Sequence, residues 1–438
     1  MRTSESTPHR VLGAHAFRGL RTVEHVFTVP LDHGDPDGEQ IDVFAREYVS
    51  ATHPVDTAGR LPWLVFLQGG PGGRGARVTS LSGWMKEAAK DFRILMLDQR
   101  GTGLSTPADR STLPLRGGPA DQAAYLAHFR ADSIVLDCEA IRRALGSEPW
   151  TVYGQSFGGF CALTYLSIAP HGVREALITG GLAPLDGPAE RVYRATYARL
   201  AERNAEYFAW YPDDRARVTA IVEHLRGVDE RLPDGSRLSP ERFQLVGNLL
   251  GGNTRVDSLH YLLEDAFTRG PSGVRLSDGF LGQVHATVTR APNPLYAVLH
   301  ESIYAQGEAS GWAAWGVLDE HPEFRPDAAD PLLLGEMVCP WLFEQDPALT
   351  PLAETARLLA EKADWGSLYN PGRLAENSVP VAAAVYRDDI YVDRGLSLET
   401  AGRVRGLRVW ETADFHHDGI TDDGEGIFAR LLTMAREG

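Results

Sequence analysis

Residues Trp150 to Ala162, WTVYGQSFGGFCA, constrain the fold of this chain more than any other stretch. Trp150 to Tyr153 are the aromatic and β-branched residues of a buried strand, and the residues after Gly159 suit a helix. Between them lies GxSxG with Ser156 at its centre. A serine at the apex of a tight strand-to-helix turn is held in a strained backbone conformation. Its oxygen is then exposed above the sheet, and the next residue's amide points at a developing oxyanion. Gly154, Gly158 and Gly159 carry no Cβ that would clash in such a turn. Ser156 is therefore read as a nucleophile. Short glycine patterns also occur in plain turns, so the reading requires an oxyanion loop, a base and an acid elsewhere in the chain.

Two upstream segments fit that requirement. In Leu61 to Arg74, LPWLVFLQGGPGGR, an apolar strand stops abruptly at GGPGG. In an α/β-hydrolase the loop after the third strand supplies the second oxyanion amide, and glycine lets the substrate carbonyl approach closely. The expected oxyanion donors are the amides of Gly70 and Phe157. Phe92 to Thr106, FRILMLDQRGTGLST, is a second apolar strand running into a polar, glycine-containing loop. Asp98 and Arg100 are read there as a local charge pair that fixes the turn, outside the chemistry.

A serine hydroxyl is a weak nucleophile near neutral pH, so it needs a general base, and the base needs an acid to set its tautomer. In this fold the chain order is Ser, then Asp or Glu, then His. Val379 to Tyr386 reads as a strand followed by Asp388 and Asp389, and Val404 to Trp410 as another strand before DFHHDG. Of fourteen histidines, His416 and His417 occupy the required place. On spacing alone, either histidine and either aspartate can serve.

The organisation is that of an α/β fold, an α/β-hydrolase with a mainly parallel central sheet flanked by helices and an inserted helical cap. Val23 to Pro30 and Gln40 to Val49 read as opening antiparallel strands joined by a turn over Asp32 to Gly38. Strands then alternate with helical patterns through Gly180, including a helix around Asp132 to Leu145. Ser156 and Asp389 lie more than two hundred positions apart, far beyond what a strand-helix-strand connection needs. Residues 1–184 are thus expected to form the first part of the core, 185–377 a helical cap, and 378–438 the rest of the core. Within the cap, Tyr193, Tyr197, Leu200, Tyr207 and Tyr211 recur at helical spacing and describe one apolar face. Such a cap would wall off one side of Ser156 and choose its substrates.

GGPGG at Gly69 to Gly73, DQRGTG at Asp98 to Gly103 and GQSFGG at Gly154 to Gly159 resemble the proline iminopeptidases, serine peptidases of α/β-hydrolase fold. SLHYLLEDAF from Ser258, NPLYAVLHESIYAQG from Asn293, GEMVCPW from Gly335 and VPVAAAVYRDDIYVD from Val379 are similar to the longer bacterial branch of that family. The resemblance covers nearly the whole chain after about residue 20. One departure is Gln68, where many relatives carry histidine before the glycines. The resemblance implies a triad of Ser156, Asp389 and His417: the acid precedes a hydrophobic residue, and the histidine precedes an acidic residue and glycine. It also implies release of N-terminal proline from short peptides through an acyl-enzyme, with no cofactor and no metal.

Cleaving only the first residue requires recognition of a cationic amine, for which carboxylates in a partly dry pocket are suited. Glu301 in LHESIY is the leading choice because that motif resembles the family's amine-binding helix, followed by Glu264 in YLLEDAF and Glu336 in GEMVCPW. Phe157 is the expected apolar contact for a pyrrolidine ring, whereas Tyr304, Trp312 and Trp315 are read as core. The competing enzyme reading is a carboxylester or amide hydrolase with the same triad and no amine recognition. A noncatalytic ligand receptor is the competing reading from another class, and the complete set of serine, acid and histidine argues against it.

A net charge of −16 disfavours nucleic acid and anionic membranes as partners. Cys138, Cys161 and Cys339 lack metal-ligand spacing and are expected to be buried in a reducing compartment. MRTSESTPHRVLGAHAF lacks the apolar core of a signal peptide, and no run of eighteen apolar residues follows. A cytoplasmic location is expected, and the oligomeric state is left open.

Overall fold

The computed structural model describes residues 7–253, 255–271 and 273–437. Its main sheet is built from β1 (His9–Phe17), β2 (Leu20–Pro30), β3 (Gln40–Ser50), β4 (Trp63–Leu67), β5 (Arg93–Leu97), β6 (Trp150–Gln155) and β7 (Val173–Thr179). A separate hairpin, β8 (Phe267–Gly270) and β9 (Gly273–Leu276), precedes the last two strands of the main sheet, β10 (Val381–Tyr386) and β11 (Leu407–Thr412). The order of the nine-stranded sheet is β1-β2-β3-β5-β4-β6-β7-β10-β11. The first three strands and the β3–β5 pair are antiparallel, and every pair from β5 to β11 is parallel. This is the α/β-hydrolase architecture expected from the sequence.

Strand β1 was not among the expected elements. It pairs with β2 from His9↔Phe27 to Phe17↔Leu20 with an irregularity between Val11 and Gly13. Eight of its nine residues are exposed, so no buried alternation marks it in the sequence. The first six residues of the N-terminal segment lie outside the described residues.

The central strands are buried on both faces, as parallel strands covered by helices must be. Alternation sorts β4 between the two cores: Val65 and Leu67 face the helices Ala131–Ala144 and Phe157–Ile168. Leu64 and Phe66 join Met85 and Ala88 of Gly83–Ala88, and Ile427, Phe428 and Leu431 of Gly424–Arg436, on the opposite face.

Between β7 and β10 the chain runs mainly through helices, the longest being Ala189–Trp210, with the β8–β9 hairpin as its one sheet element among the described residues. Tyr193, Tyr197, Leu200 and Tyr207 are buried on the long helix, and Tyr211 closes it. Trp315, expected in the core, is 48% exposed on the short helix Ala313–Leu318. The three cysteines are buried.

Asp98 and Arg100 do organise loops, but not as a pair with each other. Asp98 accepts from Arg77 and from the amides of Gly75 and Leu104. Arg100, fully buried, makes a two-pronged contact with Asp137 at 2.8 and 2.6 Å and donates to the carbonyls of Leu31 and His128.

Candidate active site

At the end of β6 the backbone turns through Ser156 at φ 55°, one of three non-glycine residues with positive φ among those described. Such a conformation costs on the order of 1–3 kcal/mol and persists only because its surroundings enforce it. The Ser156 amide donates to Thr179 O of β7 at 3.0 Å, and Gly159 N to Ser156 O at 2.7 Å. The glycine requirement is steric, since a Cβ on Gly158 would lie 1.8 Å from Leu67 O. The helix therefore starts hard against the end of β4, where the glycine turn begins.

One expected oxyanion donor, Gly70, lies on that turn, and the other, Phe157, follows the serine. Gly70 has φ 133°, a region that side chains disfavour. Phe157 is the first residue of its helix, where amides lack an intrahelical partner. Neither amide has an acceptor among the described residues. A Cβ on Gly69 would lie 3.1 Å from the Ser156 Cβ, so the turn touches the serine.

The acid and the base come from the loops after β10 and β11. His417 Nδ1 and Asp389 Oδ2 are 2.7 Å apart and both residues are buried. The other Asp389 oxygen accepts from the amides of Tyr391 and Val392 at 2.8 and 3.1 Å. The carboxylate is therefore fixed from both sides. Burial pulls the His417 pKa down, but the Asp389 charge and hydrogen bond outweigh it and raise it above the ordinary 6.5. Tyr391 stands edge-on to the His417 ring at 4.9 Å and donates to Asn248 O.

The alternatives separate. Asp388 faces Arg199 at 3.6 Å and Arg387 at 3.4 Å. Neither ring nitrogen of His416 has a partner among the described residues, and burial, with Arg203 nearby, lowers its pKa to about 4.

Gly180 and Gly181 were not singled out from the sequence, yet they join the three loops. A Cβ on Gly180 would lie 3.3 Å from His417 Nδ1 and 3.4 Å from Asp389 Oδ2, and one on Gly181 2.5 Å from Ser156 O. The glycine pair after β7 was the available signal, because that strand neighbours both β6 and β10.

The three glutamates meet different fates. Glu336 lines a small cavity with Tyr193, His300, Tyr304 and Tyr391. Burial raises its pKa, while the charges of His417 and Arg290 and a hydrogen bond with Tyr296 oppose that rise. Glu301 is buried and spends both oxygens on the amides of Ala313 and Ala314, at 3.0 and 2.9 Å. Burial pushes its pKa up to about 7 against those bonds. Glu264 is more than half exposed and lies 3.7 Å from His260 on its own helix. Tyr304, read as core, is partly buried against it and also lines the Glu336 cavity, tilted against Phe160 and edge-on to Tyr193. Phe157 is 1% exposed and packs edge-on against Phe160 at 6.2 Å. Trp312 is partly buried against Phe343. No cluster of three or more His, Cys, Asp or Glu side chains able to hold a metal occurs among the described residues.

Comparison with known proteins adds three findings. The profile described as alpha/beta hydrolase fold matches residues 62–217. A proline iminopeptidase of Aeromonas sobria is 47% identical over 422 residues, spanning 96% of this chain and 97% of that protein. A proline iminopeptidase of Aspergillus aculeatus is 34% identical over 434 residues, spanning 95% of this chain and 94% of that one.

Proposed function

Because the chain belongs to the proline iminopeptidase family of α/β-hydrolase serine enzymes, we propose that it releases N-terminal proline from short peptides, with Ser156, Asp389 and His417 as its triad. The observation that carries this reading is the Glu336 carboxylate, which lines a small cavity within electrostatic reach of His417 and Asp389. An esterase has no use for a half-buried anion there, whereas the cationic imino nitrogen of proline is a matching charge for it.

The proposed steps give each group one role. Ser156 Oγ attacks the carbonyl of the first residue while His417 takes its proton. The Gly70 and Phe157 amides receive the oxyanion, Asp389 stabilises the imidazolium, and His417 returns the proton to the departing amine. Water then repeats the sequence and frees proline. Glu336 replaces Glu301 as the first candidate for the amine, since both Glu301 oxygens are engaged by the short helix they cap. Glu264, paired with His260 at the surface, is given no role at the amine. Residues 185–377 act as the cap and residues 1–184 and 378–438 as the core, with Tyr193 and Tyr304 walling the proline ring. Buried, unpaired cysteines support a cytoplasmic location.

The test is arylamine release from proline and N-acetylproline arylamides by the parent protein and by Ser156→Ala. Turnover of the free-amine substrate should fall by at least about 10⁴-fold in the variant, and the acetylated substrate should be refused by the parent. Brisk hydrolysis of the blocked substrate would assign a general amide or ester hydrolase instead. No helix among the described residues is long and apolar enough to cross a membrane.

A further inference from the structure

A second cavity is lined by the glycine turn. It has a volume of about 510 Å³ and lies between Gly73 and Arg74 of that turn, Pro107 and Ala108 of the loop after β5, and Pro294 and Leu295 of the helical segment. Its connection to the nucleophile can be followed by contact. Gly69 touches Ser156, Gly73 packs on Gly69 O, and Gly72 abuts Asn293 and Leu295. Asn293 fixes the far wall by donating to Pro71 O at 3.2 Å and capping the amide of Tyr296 at 3.1 Å.

The charges in this cleft are unevenly satisfied. Asp109 is engaged by the amides of Ser111 and Thr112 and by the Ser111 hydroxyl, which hold its pKa below the usual carboxylate value. Arg77 and Arg100, on the same two loops, are committed to Asp98 and Asp137. Arg74 is exposed, is the only basic side chain lining the cleft, and has no acceptor among the described residues.

We infer that this cleft receives the leaving peptide and that Arg74 takes its C-terminal carboxylate. The inference rests on the reading above, in which Glu336 holds the opposite, cationic end of the substrate. A short free peptide is a zwitterion, and these two groups present the matching pair of charges, an anion near His417 and a cation on the glycine turn that begins beside the serine. On a chain of net charge −16 a peptide carboxylate meets a repulsive field, which the Arg74 guanidinium offsets locally. The cavity volume falls in the range that holds small ligands, so the class of substrate is a peptide of a few residues with a free C-terminus.

The experiment compares proline-initiated di-, tri- and tetrapeptides as free acids and as C-terminal amides, in the parent protein, Arg74→Ala and Arg74→Glu. What is read is the acid-to-amide ratio of kcat/KM within each protein, so a general loss of activity cancels. The parent should favour the acid by about fivefold at one peptide length, as an exposed ion pair allows, mainly through KM and less so at high salt. The ratio should approach one in Arg74→Ala and fall below one in Arg74→Glu. A ratio that stays the same in all three proteins overturns the inference and leaves the proline iminopeptidase reading intact. Absence of any proline release from arylamide by the parent would instead remove that reading, and this inference with it.

Discussion

The loops at the strand ends and the helical segment between β7 and β10 solve the same task by different means. On the strand side, each proposed catalytic group is placed by backbone: Ser156 by the turn after β6, Asp389 by the loop after β10, and His417 by the loop after β11. On the helical side, carboxylates are placed by packing, and the results diverge. Glu336 reaches the cavity, Glu301 caps a helix, and Glu264 stays at the surface. A strand end dictates the direction of a side chain, whereas a helix in an irregular array leaves that direction to its neighbours.

Asp389→Asn probes the strand side and should have the largest effect. With the carboxylate gone, kcat on proline arylamide should fall by about 10⁴-fold. The base must be neutral to act, so the parent's rate should drop as pH falls through a value above 6.5, given the raised pKa of His417. In Asp389→Asn the burial that lowers this pKa remains while the main cause that raises it is gone. The acid limb should then move to lower pH, and a limb that stays in place would contradict the assigned role.

Glu336→Gln tests the helical side. Loss of a charge partner from a desolvated site should reduce kcat/KM for proline arylamide by about 100-fold, with no matching loss on an N-acetylated or ester substrate. An equal loss on both would make Glu336 a support of the fold and erase the contrast between the two regions.

The smallest effects sharpen the contrast within the helical segment. Glu301→Gln keeps one acceptor for two amides and should destabilise the fold by about 1–3 kcal/mol, visible as a lower Tm, while discrimination between free and acetylated proline persists. Glu264→Gln should alter neither melting nor kinetics measurably. If Glu301→Gln instead abolished amine discrimination at unchanged Tm, Glu301 would recover the place here given to Glu336.

How much could be read from the sequence follows the same division. The apolar runs of β4, β5, β6 and β10 and their polar or glycine exits are local patterns, so the parallel sheet and the three loops of the site were legible. Which of two adjacent aspartates or histidines turns inward was decided by family resemblance, because spacing gives each pair one place. The partners of Asp98 and Arg100 were not legible, since Arg77 and Asp137 come into reach only when the sheet assembles. The same holds for Glu301, whose donors, the amides of Ala313 and Ala314, lie past a loop. β1 was missed because an exposed edge strand carries no buried alternation.

The order of the site residues along the chain has a temporal side. A ribosome delivers Ser156 and its glycine turn early, while Asp389 and His417 emerge only after the whole helical segment. The sheet strands that carry them are then covered by Gly424–Arg436, whose Arg436 reaches back to Glu175 in β7 at 2.9 Å. On the proposed triad, a chain that stops before His417 leaves Ser156 without its base. A nascent or prematurely ended chain should then be hydrolytically silent, so that the proposed activity would belong to finished molecules alone.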